Sequence, residues 1–220
     1  MKTDNRIFTV RRLFRNEIPR AKKCFSYYDF LHYNPTRGEG IMEIMIQGQM
    51  WGIFHGDDMV AATWLIPADS PYFRQTTAAW ELGDLLEWNA ADWLVAGYVW
   101  QSEEYSDCPV YQRFARLWVM QAAKLKKARV VHCSPRHINA DMGRLFENGY
   151  RLTALRGLDK LVPHFIFVKE AEFLNTEREI PRNVKYCPLS DTKQLSMLCE
   201  HGWLGTTLDK DNNILFTKGS

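Results

Sequence analysis

Two adjacent carboxylates, Glu103 and Glu104, follow an uncharged run, Trp93–Ser102, and Tyr105 comes directly after them. A carboxylate at the end of an apolar element can take a proton from an attacking nucleophile. The plainer alternative is a pair of solvated loop acids. A few residues on, Arg113 and Arg116 carry guanidinium groups suited to phosphate oxygens. Among the thiols, Cys133 reads as buried core. Cys108 lies in a loop where it could be exposed, with no neighbour that would lower its pKa. His132 and His137 flank Cys133, but strand alternation puts His132 and Cys133 on opposite faces. No third residue has metal-ligand spacing, so no metal is expected. A second set of acids, Glu81, Asp84 and Glu87, is interleaved with Trp80, Trp88 and Trp93. It reads as a polar helix face, or as the rim of an acceptor pocket that attracts amines.

These residues need elements to position them. WLVAGYVWQ (Trp93–Gln101) is uncharged and rich in β-formers, so a strand buried on both faces is expected. Gly97 within it predicts a bulge or a close approach by a ligand. Tyr111–Lys127 predicts an amphipathic helix. Phe114, Leu117, Trp118, Ala122 and Leu125 form its apolar face, and Arg113, Arg116, Lys124 and Lys127 lie opposite. Pro109 suits the start of that helix. Val130–Ser134 reads as a short strand. Asn139 can cap a helix with Met142, Leu145 and Phe146 facing inward, and Gly149 can end it. Tyr150–Leu155 and Phe165–Lys169 read as two further strands.

Upstream, Ile7–Arg11 predicts a strand and Glu17–Tyr28 a helix, and Ile41–Met50 has helical spacing. Trp51–Phe54 and Met59–Ile66 form a hairpin around His55-Gly-Asp-Asp58, and Pro67–Asp92 reads as irregular or short-helical. Downstream, a charged linker (171–182) leads to a strand Val184–Cys187, a helix Asp191–His201 and a hairpin of Trp203–Leu208 with Ile214–Thr217. This order echoes residues 7–66. It could be an incomplete second copy of the opening unit or, more simply, a strand-adding appendage or dimerisation arm.

Composition narrows the function classes. The chain has 220 residues, 46% hydrophobic and 25% charged, an ordinary balance for a globular protein. Its uncharged runs are far shorter than the roughly 18 residues of a membrane span, and the N-terminus lacks a signal-peptide core. Five cysteines without CxxC spacing read as reduced thiols of a cytoplasmic protein. A net charge of +2 is too small to argue for nucleic acid. It conceals an acidic middle: residues 41–110 hold one basic residue and eleven acidic ones, between basic flanks. That pattern suits a cationic acceptor beside an anionic cofactor, or simply solvated faces.

The order of parts from Trp93 to Lys169, with the segment Asn139-Ala-Asp-Met-Gly-Arg-Leu-Phe-Glu-Asn-Gly149-Tyr150, resembles the acyl-CoA-binding half of the GNAT family of N-acetyltransferases. The resemblance spans roughly residues 5–170. It implies an α/β (α+β) fold: a mixed, mostly antiparallel GNAT-like sheet flanked by helices over 1–170, a linker at 171–182, and a C-terminal helix-plus-hairpin appendage at 183–220. It further implies transfer of an acetyl or other acyl group from acyl-CoA, as co-substrate, to a small-molecule or peptide amine by direct attack in a ternary complex. Backbone around Tyr98, Val99 and Trp100 would polarise the thioester, and Glu103 or Glu104 would assist deprotonation. The turn of Val110, Tyr111, Gln112 and Arg113 would hold pyrophosphate, and Asn139 would touch pantetheine. The family's pyrophosphate loop carries small residues. This chain has Ser106-Asp107-Cys108-Pro109-Val110-Tyr111, without a glycine, so Arg113 and Arg116 become the substitute phosphate contacts. The family's proton-donating Tyr of the last helix is missing from Leu145-Phe146. Both departures leave open a non-catalytic binding module, or a donor carried on an acyl carrier protein.

Overall fold

The computed structural model describes residues 6–21, 49–70, 90–97, 99–135, 139–156, 164–171 and 183–218. Helical expectations over 22–48 and the acidic-aromatic stretch 71–89 lie outside these residues, apart from Gln49 and Met50, which are strand rather than helix.

In chain order the elements are β1 (Thr9–Arg12), β2 (Gln49–His55), β3 (Asp58–Pro67), β4 (Trp93–Ala96), β5 (Trp100–Gln101), α1 (Val110–Lys124), β6 (Arg129–Pro135), α2 (Asn139–Glu147), β7 (Arg151–Arg156), β8 (His164–Glu170), β9 (Val184–Pro188), α3 (Thr192–Glu200), β10 (Trp203–Leu208) and β11 (Asn213–Lys218). They build one mixed sheet in the order β1-β2-β3-β4-β6-β8-β7-β10-β11-β9, with β5 pairing β3. Among the described strands only β4 and β6 run parallel, which suits strands joined through a crossover helix, here α1.

Each face of the sheet carries its own core. Phe114 and Trp118 of α1, Leu145 of α2 and Leu195 of α3 pack with Tyr150, Phe165, Phe167 and Phe216 on one face. Trp64, Trp93, Val131, Cys133, Ala154 and Ile166 fill the other, beneath Leu13 and Ala21. The apolar stripe on α1 thus faces the sheet as its periodicity predicts, while Arg116 is exposed. Helix α2 ends as its glycine predicts. Gly149 has φ of 79°, its N–H donates to Phe146 O at 2.8 Å, and the N–H of Tyr150 donates to Leu145 O at 3.1 Å. Asn139 is the first residue of the helix rather than the cap preceding it.

The expected strand Trp93–Gln101 is broken. Leu65 pairs with Ala96 but Ala62 with Trp100, so three residues, Gly97 to Val99, oppose two on β3. That extra residue is a β-bulge at the predicted glycine. The close approach at Gly97 is made by the protein itself. A Cβ there would fall 1.9 Å from Cε2 of the Trp64 indole.

The C-terminal strands do not repeat the opening ones. In the first unit the leading strand pairs with the near arm of the hairpin (β1 with β2), whereas β9 pairs with the far arm, β11. The different wiring removes the second-copy reading. The tail instead adds strands to the sheet beside β7.

Candidate functional site

The site forms where β4 leaves β6. Their pairing runs from Trp93↔Arg129 to Ala96↔His132 and stops there, while β6 continues to Pro135 against β8. The bulge lifts the chain away, and Trp100 and Gln101 return to β3. One side of β6 beyond His132 is therefore left without β4, and α1 packs across that seam.

Three polar groups line the α1 side of the seam. His132 is fully buried, and its Nδ1 lies 3.2 Å from the carbonyl of Ala96, the last residue of β4 paired to it. A carbonyl can only accept, so Nδ1 carries the proton and Nε2 presents a lone pair. Burial holds the imidazole neutral by pushing its pKa down to about 4, against a smaller opposing effect of the Ala96 and Gly97 backbone. The ring lies on Trp118, with centroids 4.6 Å apart, and meets Tyr111 edge-on at 5.9 Å. His132 Nε2, Trp118 Nε1 and the Oγ of Ser134, two residues along β6 on the same face, are all buried without a hydrogen-bond partner. Residue types alone gave no sign of this group. His132 entered the sequence reading only beside Cys133, which indeed points to the opposite core.

The loop leading into α1 is the reverse case. A 3-10 turn, Glu103–Tyr105, begins it, and its backbone closes on itself: Cys108 N–H donates to Tyr105 O at 2.9 Å and Val110 N–H to Cys108 O at 2.8 Å. The Gln101 amide donates to the carbonyls of both Tyr105 and Cys108. Pro109 has no N–H to offer. Cys108 is buried, contrary to its expected exposure. The loop also carries its own anion. Asp107 Oδ2 lies 2.5 Å from an Arg6 guanidinium nitrogen, which holds the Asp107 carboxyl below its ordinary pKa.

The expected site residues divide accordingly. Glu103 and Glu104 are exposed on the 3-10 turn. Val99 packs toward the α1 side of the sheet and Trp100 toward the other. Val110 and Tyr111 are buried, with the Val110 N–H already engaged, and Gln112 is half-buried. The Arg113 guanidinium lies 5.1 Å from the centre of the Phe8 ring. Phe8, His55 and Tyr105 form an aromatic cluster there, with His55 Nδ1 3.2 Å from the Tyr105 hydroxyl. Beside it lies an open depression lined by Arg6, Ile7, Thr9, His55 and Gly56. Trp93 is core, covered by Arg129, and so does not line an acceptor pocket. Tyr98 lies outside the described residues. So does the side chain of Asn139, although its backbone opens α2. Leu145 and Phe146 are buried, and no proton donor stands in their place. Among the described residues no group of three or more His, Cys, Asp or Glu could hold a metal ion. No described helix is long and apolar enough to cross a membrane.

No family model and no curated protein matches the sequence. Solved structures do. The chain matches yncA of Salmonella typhimurium, solved with its cofactor acetyl-CoA, at 8% identity and a TM-score of 0.56 over 76% of this chain and 96% of that one. The ribosomal-protein-S18-alanine N-acetyltransferase of Escherichia coli matches at 9% identity and a TM-score of 0.52, over 79% and 99% of the two chains.

The chain has the GNAT fold.

A GNAT family acetyltransferase from Elizabethkingia anophelis, solved with acetyl-CoA bound, matches at 13% identity and a TM-score of 0.51 over 76% and 99% of the chains. In GNAT terms β4 is the strand beside which the sheet opens, α1 the helix that follows it, and Asn139 to Tyr150 the last helix with its glycine stop. The GNAT resemblance read from the sequence is the fold that the chain adopts.

Proposed function

We propose that this protein is an N-acyltransferase, moving an acetyl or longer acyl group from a CoA thioester to an amine. The observation that supports it most is the opened seam: a bulged β4 parting from β6 after Ala96↔His132, with α1 across the gap. An extended thioester laid beside β4 would present its carbonyl to the backbone that the bulge frees from the ladder. N–H groups fixed in advance at a developing oxyanion stabilise the transition state without reorganisation. We assign that role to the backbone from Tyr98 to Trp100.

The chemistry balances within a ternary complex. The amine nitrogen attacks the thioester carbon, the C–S bond breaks, and the thiolate leaves. The proton lost by nitrogen goes to a carboxylate, for which Glu103 or Glu104, exposed at the end of the bulged strand, are the candidates. In this reading Val110, Tyr111, Gln112 and Arg113 stand at the phosphate end, and Asn139 stands beside the arm. The domain over 1–170 would carry the reaction, with 183–220 attached as an appendage. The acidic stretch 41–110 favours a cationic acceptor.

Calorimetric titration with acetyl-CoA and CoA tests the reading, with micromolar binding expected. Failure of every CoA ester to bind at millimolar concentration would sink it and favour a non-catalytic module. Once binding is in hand, loss of turnover in Glu103→Gln or Glu104→Gln identifies the base.

A further inference from the structure

Strands β9, β10 and β11 of the C-terminal tail have two faces of opposite character. One packs under α3, where Cys187, Ile214 and Phe216 are buried with Leu195 and Leu198. At the margin of that face the ammonium groups of Lys185 and Lys218 lie 4.4 and 6.0 Å from the centre of the Trp203 ring. Side chains alternate along a strand, so the residues between these belong to the other face. The register joins them in two cross-strand rows, Val184–Thr217–Leu204 and Tyr186–Leu215–Thr207. Val184 is 48% and Tyr186 62% exposed, Thr207 is exposed, and Leu204, Leu215 and Thr217 are half-buried.

The solvated face of an antiparallel sheet is expected to be polar. These rows hold three aliphatic side chains, a tyrosine and two threonines, with no formal charge, in a chain that is 25% charged. Depletion of charge with tyrosine present is the composition of the centre of a protein interface. The missing charge also selects the partner. Nucleic acid and anionic membrane are held through basic side chains, and neither row carries one. A second copy suits the patch. Across a twofold axis the same surface meets itself, so any charge would lie near its like, and a charge-free surface carries no such penalty. Lys185 and Pro188 discourage pairing along the β9 edge, whereas the face has no such guard.

We propose that the protein self-associates through this face, the outer surface of β9, β10 and β11 of one copy stacking on that of a second about a twofold axis. The two sheets lie about 10 Å apart, with Leu215 and Thr217 of the middle strand at the centre of the contact. Two rows of side chains make a small contact beside the roughly 20–30 residues a side of a standard interface, so the dimer is a micromolar one. The inference concerns the tail alone and stands or falls independently of acyl transfer.

The test is sedimentation equilibrium of the full chain from about 1 µM to about 1 mM, the range in which a micromolar dimer forms. The average mass should rise from the 25.8 kDa of one chain toward twice that value. Tyr186→Lys should weaken association at least about tenfold and leave the unfolding midpoint in place, because the side chain it replaces is exposed. Met197→Lys, also at an exposed position but on α3 across the sheet, should leave association unchanged. An equimolar mixture of Tyr186→Lys and Tyr186→Glu should regain the association that each has lost alone, since opposite charges then meet across the axis. A mass that stays at one chain throughout overturns the inference and leaves the face to a different protein or to solvent. Association that survives Tyr186→Lys, that is lost equally in Met197→Lys, or that does not return in the mixture overturns it as well.

Discussion

The seam beside β6 and the loop before α1 sit at the same end of the sheet, and their hydrogen bonding is opposite. The loop carries charges and exposed acids, yet its donors and acceptors close on one another through Gln101, Cys108 and the Arg6–Asp107 pair. The seam is buried and almost wholly apolar, yet three of its polar side-chain atoms, His132 Nε2, Trp118 Nε1 and Ser134 Oγ, have no hydrogen-bond partner. Exposure and charge therefore do not tell which polar groups of this molecule have partners, and a polar group left unpaired out of reach of water carries a cost that only a partner removes.

If the seam is a built wall and the loop an adjustable rim, substitutions should separate them. Trp118→Ala should have the largest effect, a loss of about 3–5 kcal/mol in denaturant unfolding, since the fully buried indole links α1, β6 and Tyr150. Acid comes next. The native imidazole of His132 protonates only near pH 4 whereas the unfolded one does so near 6.5, so the unfolded state binds more protons between these values. Stability from this group is complete above about pH 6.5 and falls by about 3 kcal/mol as the pH drops to 4. His132→Gln should flatten that part of a pH–stability curve, and an unchanged slope would contradict a buried neutral imidazole. Gly97→Ala should cost about 1–3 kcal/mol through its clash with Trp64, with part regained in a Gly97→Ala, Trp64→Leu double variant. At the rim, Arg113→Ala should weaken CoA no more than about fivefold, in keeping with a half-buried charge beside the Phe8 ring, and leave the unfolding midpoint nearly in place. A hundredfold loss there would show that the loop carries a large share of the binding and dissolve the contrast.

What could be read from the sequence follows the range over which each feature is encoded. The β2–β3 hairpin, the α1 stripe, the Gly149 stop and the strand, helix and hairpin of the tail are written in spacing and turn chemistry within about a dozen residues. The bulge was half legible: Gly97 announced it, but the partner that requires a glycine, Trp64, lies 33 positions earlier. The seam was not legible. A strand buried on both faces shows no alternation, so His132 and Ser134 look like any other residues of β6 until α1 is laid across them. The Arg6–Asp107 pair joins residues 101 positions apart and has no local signature.

The C-terminal strands decide what this border of the sheet presents to other molecules. β7 is held on one side by β8 and on the other by β10, which meets it through the single register pair Gly205↔Leu152, where a Cβ on Gly205 would come within 2.9 Å of Leu152 Cβ. Without residues 183–218, β7 would show a bare row of N–H and C=O groups, a ready template for a strand from another molecule. With them, the outermost strand is β9, five residues long, punctuated by Lys185 and closed by Pro188. The border of the sheet thus passes from β7 to a strand one residue shorter that carries a charge and ends in proline, both of which discourage a further strand from adding.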